Sequence, residues 1–247
     1  MAKLLEHQGK GWLRAAGLPV PRGRAASTPE EAAAIAEELG CPVVVKAQLH
    51  AGGRGKSGGL AFADTPAQAA LGASSLLGRE FKGAILREVL VEEKLDIASY
   101  TANGGRDARC PMLMVSAEGG VDIESVPEEN IFRLLASPTK GPDPQALRAA
   151  LLKAGVPAAQ HDVLAGFLAD LFGAYRMYDC FTLEINPLVV TRPGDIFAAD
   201  CKMEIDNSSV FRHPEMGIEV ARDFGHERSR KKPSPRDRPP SPITARW

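Results

Sequence analysis

Val43-Val44-Val45-Lys46-Ala47-Gln48-Leu49-His50-Ala51-Gly52-Gly53-Arg54-Gly55-Lys56-Ser57-Gly58-Gly59 joins an apolar, β-branched run carrying one lysine to a loop with five glycines and two more cations. Bare backbone amides beside positive side chains are what a polyphosphate needs. Gly55-Lys56-Ser57 resembles the end of a P-loop. That motif requires a glycine five residues before Gly55, where His50 stands. Gly53-Arg54-Gly55-Lys56-Ser57-Gly58 satisfies GxGxxG, but a dinucleotide site also needs a helix opening from the loop. Here Gly59-Leu60-Ala61-Phe62-Ala63 has strand character, and no helix signal comes before Thr65. What is left is a glycine-rich loop between two strands that can fold over phosphates. Lys46 is placed to meet the α- and β-phosphates as a point charge. The same composition also suits a flexible hairpin with solvated cations.

Glu184-Ile185-Asn186-Pro187-Leu188 and Asp200-Cys201-Lys202 form a second constellation. A turn at Arg192-Pro193-Gly194-Asp195 makes positions whose numbers sum to 386 face each other if no bulge intervenes. Asn186 then opposes Asp200 and Glu184 opposes Lys202, all four on one strand face, with opposed Cβ atoms roughly 5 Å apart. An amide oxygen and a carboxylate so placed suit Mg²⁺, which binds a few hard oxygens and takes phosphate and water for the rest. Glu184 can ligate, act as a base or pair with Lys202. An ordinary cross-strand polar cluster is the alternative.

The elements that must position these groups are legible in outline. Residues 4–16 have helical character, with Leu5, Trp12, Leu13 and Ala16 as an apolar stripe ending at Gly17-Leu18-Pro19. Thr28-Pro29-Glu30-Glu31 is a helix start with an N-cap, a first-turn proline and a capping-box glutamate, and the helix runs to Leu39 and stops at Gly40. Thr65-Pro66-Ala67-Gln68 repeats the signal, with Gly78 closing that helix. Strands are expected at 43–49, 85–93, 97–102, 110–117, 181–190 and 196–203, and a helix at 164–178. Mixed helices and sequence-local strand pairs predict an α+β protein.

The chain has 247 residues, 44% hydrophobic and 25% charged, with net charge −1. That balance advertises neither nucleic acid nor membrane. From His226 to Trp247 the net charge is +5, with five prolines and almost nothing apolar, so 226–247 reads as a disordered basic tail. Cys41, Cys110, Cys180 and Cys201 form no CxxC pair and the five histidines are scattered, which disfavours zinc. The start turns polar too early for a signal peptide, and no apolar run approaches the ~18 residues of a membrane span. The expected location is cytoplasmic.

Together these segments resemble a known family. Leu5-Glu6-His7-Gln8-Gly9-Lys10, Lys46 to Lys56, Val91-Glu92, Glu118-Gly119-Gly120-Val121-Asp122-Ile123-Glu124, Glu184 to Leu188, Asp200-Cys201-Lys202 and Phe211-Arg212 are similar, in order and spacing, to the amino-terminal half of the succinyl-CoA synthetase β subunit over about residues 4–220. The resemblance implies an ATP-grasp fold over 1–225, with two α+β lobes meeting near 95–105 and holding MgATP between them. It implies that Lys46, Gly53, Arg54 and Gly55 bind phosphates, that Glu92 and the backbone of Leu95 lie at the adenine end, and that Asn186 and Asp200 hold Mg²⁺. Glu184 would face the site of phosphoryl transfer and help position a histidine supplied by a partner α subunit, which also carries the CoA site. Pro21 is similar to the ATP-using members. The implied reaction is acid + CoA + ATP giving acyl-CoA + ADP + phosphate.

Three departures stand out. Tyr100 occupies the position of a family glutamate that contacts nucleotide. Cys201 replaces a small residue beside the metal aspartate and fits only if it faces the other side of the strand. The family continues into a carboxy-terminal domain where this chain has its basic tail, so either another chain supplies that domain or the chain is a truncated, inactive product. Malate–CoA ligase and ATP-citrate lyase share this half, which leaves the acid open. An amide-forming ATP-grasp ligase is the rival enzyme class, and a vestigial nucleotide-binding module is the rival without catalysis.

Overall fold

The computed structural model of the chain describes residues 1–50, 58–81, 83–104, 111–117 and 126–218, with the backbone alone described over 98–104. The elements run β1 (Ala2–Lys3), α1 (Glu6–Ala15), β2 (Gly23–Ala26), α2 (Pro29–Leu39), β3 (Val43–Ala47), β4 (Leu60–Ala63), α3 (Pro66–Leu76), β5 (Glu80–Phe81), β6 (Ala84–Ile85) and β7 (Val89–Glu93). They continue with β8 (Ile97–Gly104), β9 (Met112–Ser116), β10 (Phe132–Leu135), α4 (Pro144–Lys153), α5 (His161–Met177), β11 (Cys180–Thr191), β12 (Ile196–Ala198) and β13 (Lys202–Ile205). The architecture is α+β. No described helix is long and apolar enough to cross a membrane.

The smaller sheet has the order β2-β7-β3-β4. Val43, Val45 and Ala47 on β3 and Val89 and Val91 on β7 are at most 1% exposed and pack on Ala32, Ile35 and Ala36 of α2 and Ala69, Ala73 and Leu76 of α3. Alternation turns Lys46 and Glu92 to the opposite face. Val44 pairs with Glu92 and Lys46 with Leu90. Lys46 and Glu92 are therefore diagonal neighbours on adjacent strands, close enough for long side chains to meet. Both helices of this layer start as the sequence predicts. Thr28 Oγ1 accepts from Glu31 N at 3.2 Å, and Thr65 Oγ1 accepts from Gln68 N at 3.3 Å. The Glu31 and Gln68 side chains accept in return from Ser27 N and Asp64 N, both at 2.7 Å.

The larger sheet has the order β1-β13-β11-β8-β9-β10, with β12 also paired to β11. Its core holds Leu164, Leu168 and Leu171 of α5, Leu147 and Leu151 of α4 and Leu13 of α1, beneath Leu183, Ile185 and Met203 of the sheet. The chain leaves the smaller sheet at Glu93 and enters the larger one at Ile97, so residues 94–96 are the direct link between them. Lys94 N donates to Pro42 O at 2.8 Å in that link.

Three expectations are corrected. The 85–93 run is broken: Leu86 turns back to donate to Arg79 O at 2.9 Å, and the strand proper begins at Val89. The 196–203 run is interrupted between Ala198 and Lys202. The buried face of α1 is Glu6, Gly9, Lys10 and Leu13 rather than the apolar stripe. Leu13 belongs to both, while Trp12 and Ala16 are half-buried at the edge of the core. Helix α4 and strand β10 carry no pattern that the sequence reading detected.

Gly23 opposes Glu92 where β2 meets β7. A Cβ there would stand 2.3 Å from Val91 O and 2.6 Å from Glu92 Cα, so a side chain would force the strands apart. Gly23→Ala is expected to destabilise the chain by about 2 kcal/mol, as overpacking against unyielding backbone does. Urea unfolding checks this: the midpoint falls while the slope is unchanged.

Candidate nucleotide and metal site

Four charged side chains meet between the two sheets. Glu6 and Lys10 stand one turn apart on α1 and share its inner face. Lys46 comes from β3 and Glu92 from β7. Side-chain exposure is 1% for Glu6, 4% for Lys10, 3% for Glu92 and 13% for Lys46. Lys10 Nζ donates to Glu92 Oε2 at 2.7 Å and the Ala199 carbonyl at 2.8 Å, and forms an ion pair with Glu6 Oε1 at 2.9 Å. Lys46 Nζ donates to Glu6 Oε1 at 3.1 Å, Glu92 Oε1 at 2.5 Å and the same carbonyl at 2.6 Å. Each ammonium has three N–H donors, and each meets three acceptors. Two positive and two negative charges cancel, which is how ions tolerate such burial.

Ala199 belongs to the interruption between β12 and β13. Glu184 pairs with Lys202 on one side of it, and Leu188 with Ala198 on the other. Both pairs obey the register read from the turn, and Asn186 and Asp200 lie between them. Leu183, Ile185, Cys201 and Met203 face the core, so Glu184, Asn186, Asp200 and Lys202 fall at the alternate positions, and alternation slips next to the Asn186 and Asp200 positions. Leu183 and Ile185 face the core at odd numbers, whereas Leu188 and Val190 face it at even ones. The opposite strand slips too, with Ala198 and then Cys201 and Met203 in the core. The register between β11 and β8 also shifts between Ile185 and Leu188. This slip turns the Ala199 carbonyl to the lysines while Ala199 N donates to Pro187 O at 3.2 Å.

Glu184, Asn186 and Asp200 are all half-buried. Lys202 Nζ donates to Glu184 Oε2 at 3.3 Å. Asp200 Oδ1 accepts from Cys201 N at 2.6 Å, which orients the carboxylate. The Asn186 amide and the Asp200 carboxylate are hard oxygen donors, and with Glu184 nearby the set fits Mg²⁺ better than a thiophilic metal. Among the described residues no group of three or more His, Cys, Asp or Glu is arranged to hold a metal. Cys201 is 2% exposed and faces the core, away from Asp200. Its sulfur fits against Gly9 of α1, where a Cβ would stand 2.8 Å away. Burial first, and then the Asp200 carboxylate, raise its thiol well above the usual cysteine range, so it stays protonated.

Of the residues singled out from sequence, Lys46 and Glu92 are brought into direct contact. Asp200 is close enough to act on the Lys46 charge. Leu95 is half-buried in the link between the sheets. Gly53, Arg54 and Gly55 lie outside the described residues, as do the 226–247 tail and the side chain of Tyr100. Gln48, the residue after β3, is 4% exposed and accepts from His7 N at 3.0 Å, anchoring the start of α1 beside the glycine-rich segment. Sequence reasoning assigned no role to Glu6 and Lys10. Their four-residue spacing was visible, but two opposite charges one helical turn apart usually mark a solvated face.

The residue 3–190 segment matches the ATP-grasp domain family, and the chain belongs to it. Its sequence relatives are β subunits of succinate–CoA ligases. It is 45% identical over 219 residues to the GDP-forming ligase subunit β of Thermus thermophilus, a match covering 86% of this chain and 58% of the relative. It is 38% identical over 235 residues to the ADP-forming subunit β of Halorubrum lacusprofundi, covering 93% of this chain and 62% of that one. The chain thus spans roughly three-fifths of the length of these relatives. The fold is also that of an acetyl-coenzyme A synthetase of Ca. Korarchaeum cryptofilum solved with coenzyme A and Ca-AMPCP, at TM-score 0.68 and 22% identity, covering 83% of this chain and 94% of that one. ATP citrate lyase of Methanothrix soehngenii, solved with citrate and coenzyme A, gives TM-score 0.67 at 18% identity, over 89% of this chain and 55% of that one.

Burial by itself would lower the Lys46 pKa. The carboxylates of Glu6, Glu92 and Asp200 outweigh it and hold the ammonium above the ordinary lysine value. A pKa raised on folding adds stability that is complete below the unfolded value, near 10.5 here, and is lost as pH climbs through the folded value. Lys46→Met leaves two buried carboxylates sharing Lys10, and is expected to cost about 3 kcal/mol. The difference from wild type should be flat from about pH 6 to about pH 9 and shrink only above roughly pH 10.5. Urea unfolding across that range checks both the size and the pH profile.

Proposed function

We propose that this chain is the nucleotide-binding part of an ADP-forming acid–CoA ligase. ATP phosphorylates a histidine of a partner α-type subunit, and the overall reaction is acid + CoA + ATP giving acyl-CoA + ADP + phosphate. One observation carries the reading most directly. Lys46, on the strand that feeds the glycine-rich segment, meets the Ala199–Asp200 backbone of the hairpin that also bears Glu184 and Asn186. A cation for phosphate and oxygens for magnesium thus converge from two different sheets. Membership of the ATP-grasp family and the names of the relatives support the same conclusion.

Phosphoryl transfer asks little covalent chemistry of the protein and much positioning and charge neutralisation. In this reading Lys46 and Arg54 offset phosphate charge, and the amides of Gly53 and Gly55 donate to phosphate oxygens. Glu92 and the Leu95 backbone are assigned to the adenine end, with Glu92 also the counterion of Lys46. Asn186 and Asp200 would hold Mg²⁺, which supplies further neutralisation of the phosphates. Glu184, steadied by Lys202, orients the partner's histidine. Succinate is the acid that the relatives' names favour, with malate and citrate as the alternatives. The assembly works in the cytoplasm.

The test is calorimetric titration of the purified chain with ATP, and with GTP as the competing nucleotide, with and without Mg²⁺. Asp200→Ala should weaken ATP binding about tenfold or more when Mg²⁺ is present, some 1.4 kcal/mol, and far less when it is absent. Equal loss in both conditions removes Asp200 from the metal site. A folded wild-type chain that binds neither nucleotide overturns the proposal, whereas GTP bound in preference to ATP corrects the nucleotide alone.

A further inference from the structure

We infer that Lys10 is the positioning residue for Lys46: a fixed counterion that lets Lys46 leave its carboxylates for a phosphate without stranding them. The inference rests on the nucleotide reading above and adds a residue to it. Two ammonium groups share the same three kinds of acceptor, yet their surroundings differ. Lys10, on a helix, is 4% exposed and contacts Glu6, Glu92 and the Ala199 carbonyl. Lys46 is 13% exposed, lies on the strand leading to the glycine-rich segment and feels the Asp200 carboxylate. Of the two, Lys46 is the one able to exchange partners, and Lys10 is enclosed.

Charge counting then fixes the role of Lys10. With Lys46 turned to a phosphate, Lys10 is the cation that the described residues keep against Glu6 and Glu92. Lys10 already bridges both, through Glu6 Oε1 and Glu92 Oε2. Without Lys10, Lys46 is the cation left to both buried carboxylates among the described ion pairs. Lys46 is then held in place, because moving it would leave two uncompensated charges in a poorly solvated site. The charge around Lys46 also becomes one unit more negative, which repels the ligand.

Three variants titrated with MgATP test this, each with its melting temperature recorded. Lys10→Met should weaken binding about tenfold or more. Glu6→Gln, which removes one of the carboxylates holding Lys46, should tighten it severalfold. The double variant Glu6→Gln/Lys10→Met restores neutrality and should return to within about threefold of wild type. A purely structural role for Lys10 predicts no such recovery. Wild-type affinity in Lys10→Met, a double variant as weak as Lys10→Met, or Glu6→Gln binding no tighter than wild type each overturns the inference. If Lys10→Met does not fold, the Glu6→Gln result decides alone. Wild type failing to bind MgATP overturns the nucleotide reading and this inference with it, and the wild-type titration separates that failure from the others.

Discussion

Removing four charges from water between two sheets is the constraint on which the rest of this structure depends. Desolvation of an ammonium or a carboxylate costs several kcal/mol even after relaxation, so such a group persists only beside opposite charge. Here the partners come from far apart in the chain: a helix near the start, two strands of the smaller sheet and a backbone carbonyl of the larger one. The contacts that make the charges tolerable are therefore the contacts that join the two sheets. Gly23 lets β2 lie close against β7 at Glu92, and Gly9 lets α1 lie close against Cys201. Both small residues serve the placement of this one cluster.

The hairpin shows how a local irregularity creates chemistry. A regular β-ladder would have used the Ala199 carbonyl for strand pairing and kept alternation unbroken. Opposite Ala199 stands Pro187, which accepts from Ala199 N but has no N–H to return, so that carbonyl is left to the lysines beside the slip on both strands. The slip also sets Asn186 and Asp200 in a stretch bounded by regular pairs. Rigid ladder on either side fixes a short irregular segment in place, which is how a site keeps both precision and unusual geometry.

Much of this was legible in the sequence, and the boundary of legibility is physical. The two Thr-Pro helix starts, the β-branched run around Lys46 and the hairpin register depend on neighbours within a few residues, where spacing carries information. The opposition of Glu184 and Lys202 was readable because a turn fixes its own register. Glu6 and Lys10 were not assigned, because their partners lie 40, 82 and 189 positions away, at Lys46, Glu92 and Ala199. A pattern search counts charged residues as outward-facing, and α1 violates that rule at the point where it meets the site. The break at 199–201 was hidden for a related reason: alternation assumes no slip, and the slip is stabilised by lysines on other elements.

The acceptor shared by Lys10 and Lys46 is a main-chain oxygen, so the junction between the sheets is coded at position 199 by no particular side chain. An alanine scan passes over it, since the native residue is already alanine and every substitution keeps the carbonyl. Mutational drift at that position can alter packing but cannot delete the acceptor. A chemist who replaced the 199–200 amide by an ester would weaken it without touching any side chain. The most consequential oxygen in the junction is thus the one that genetics sees least.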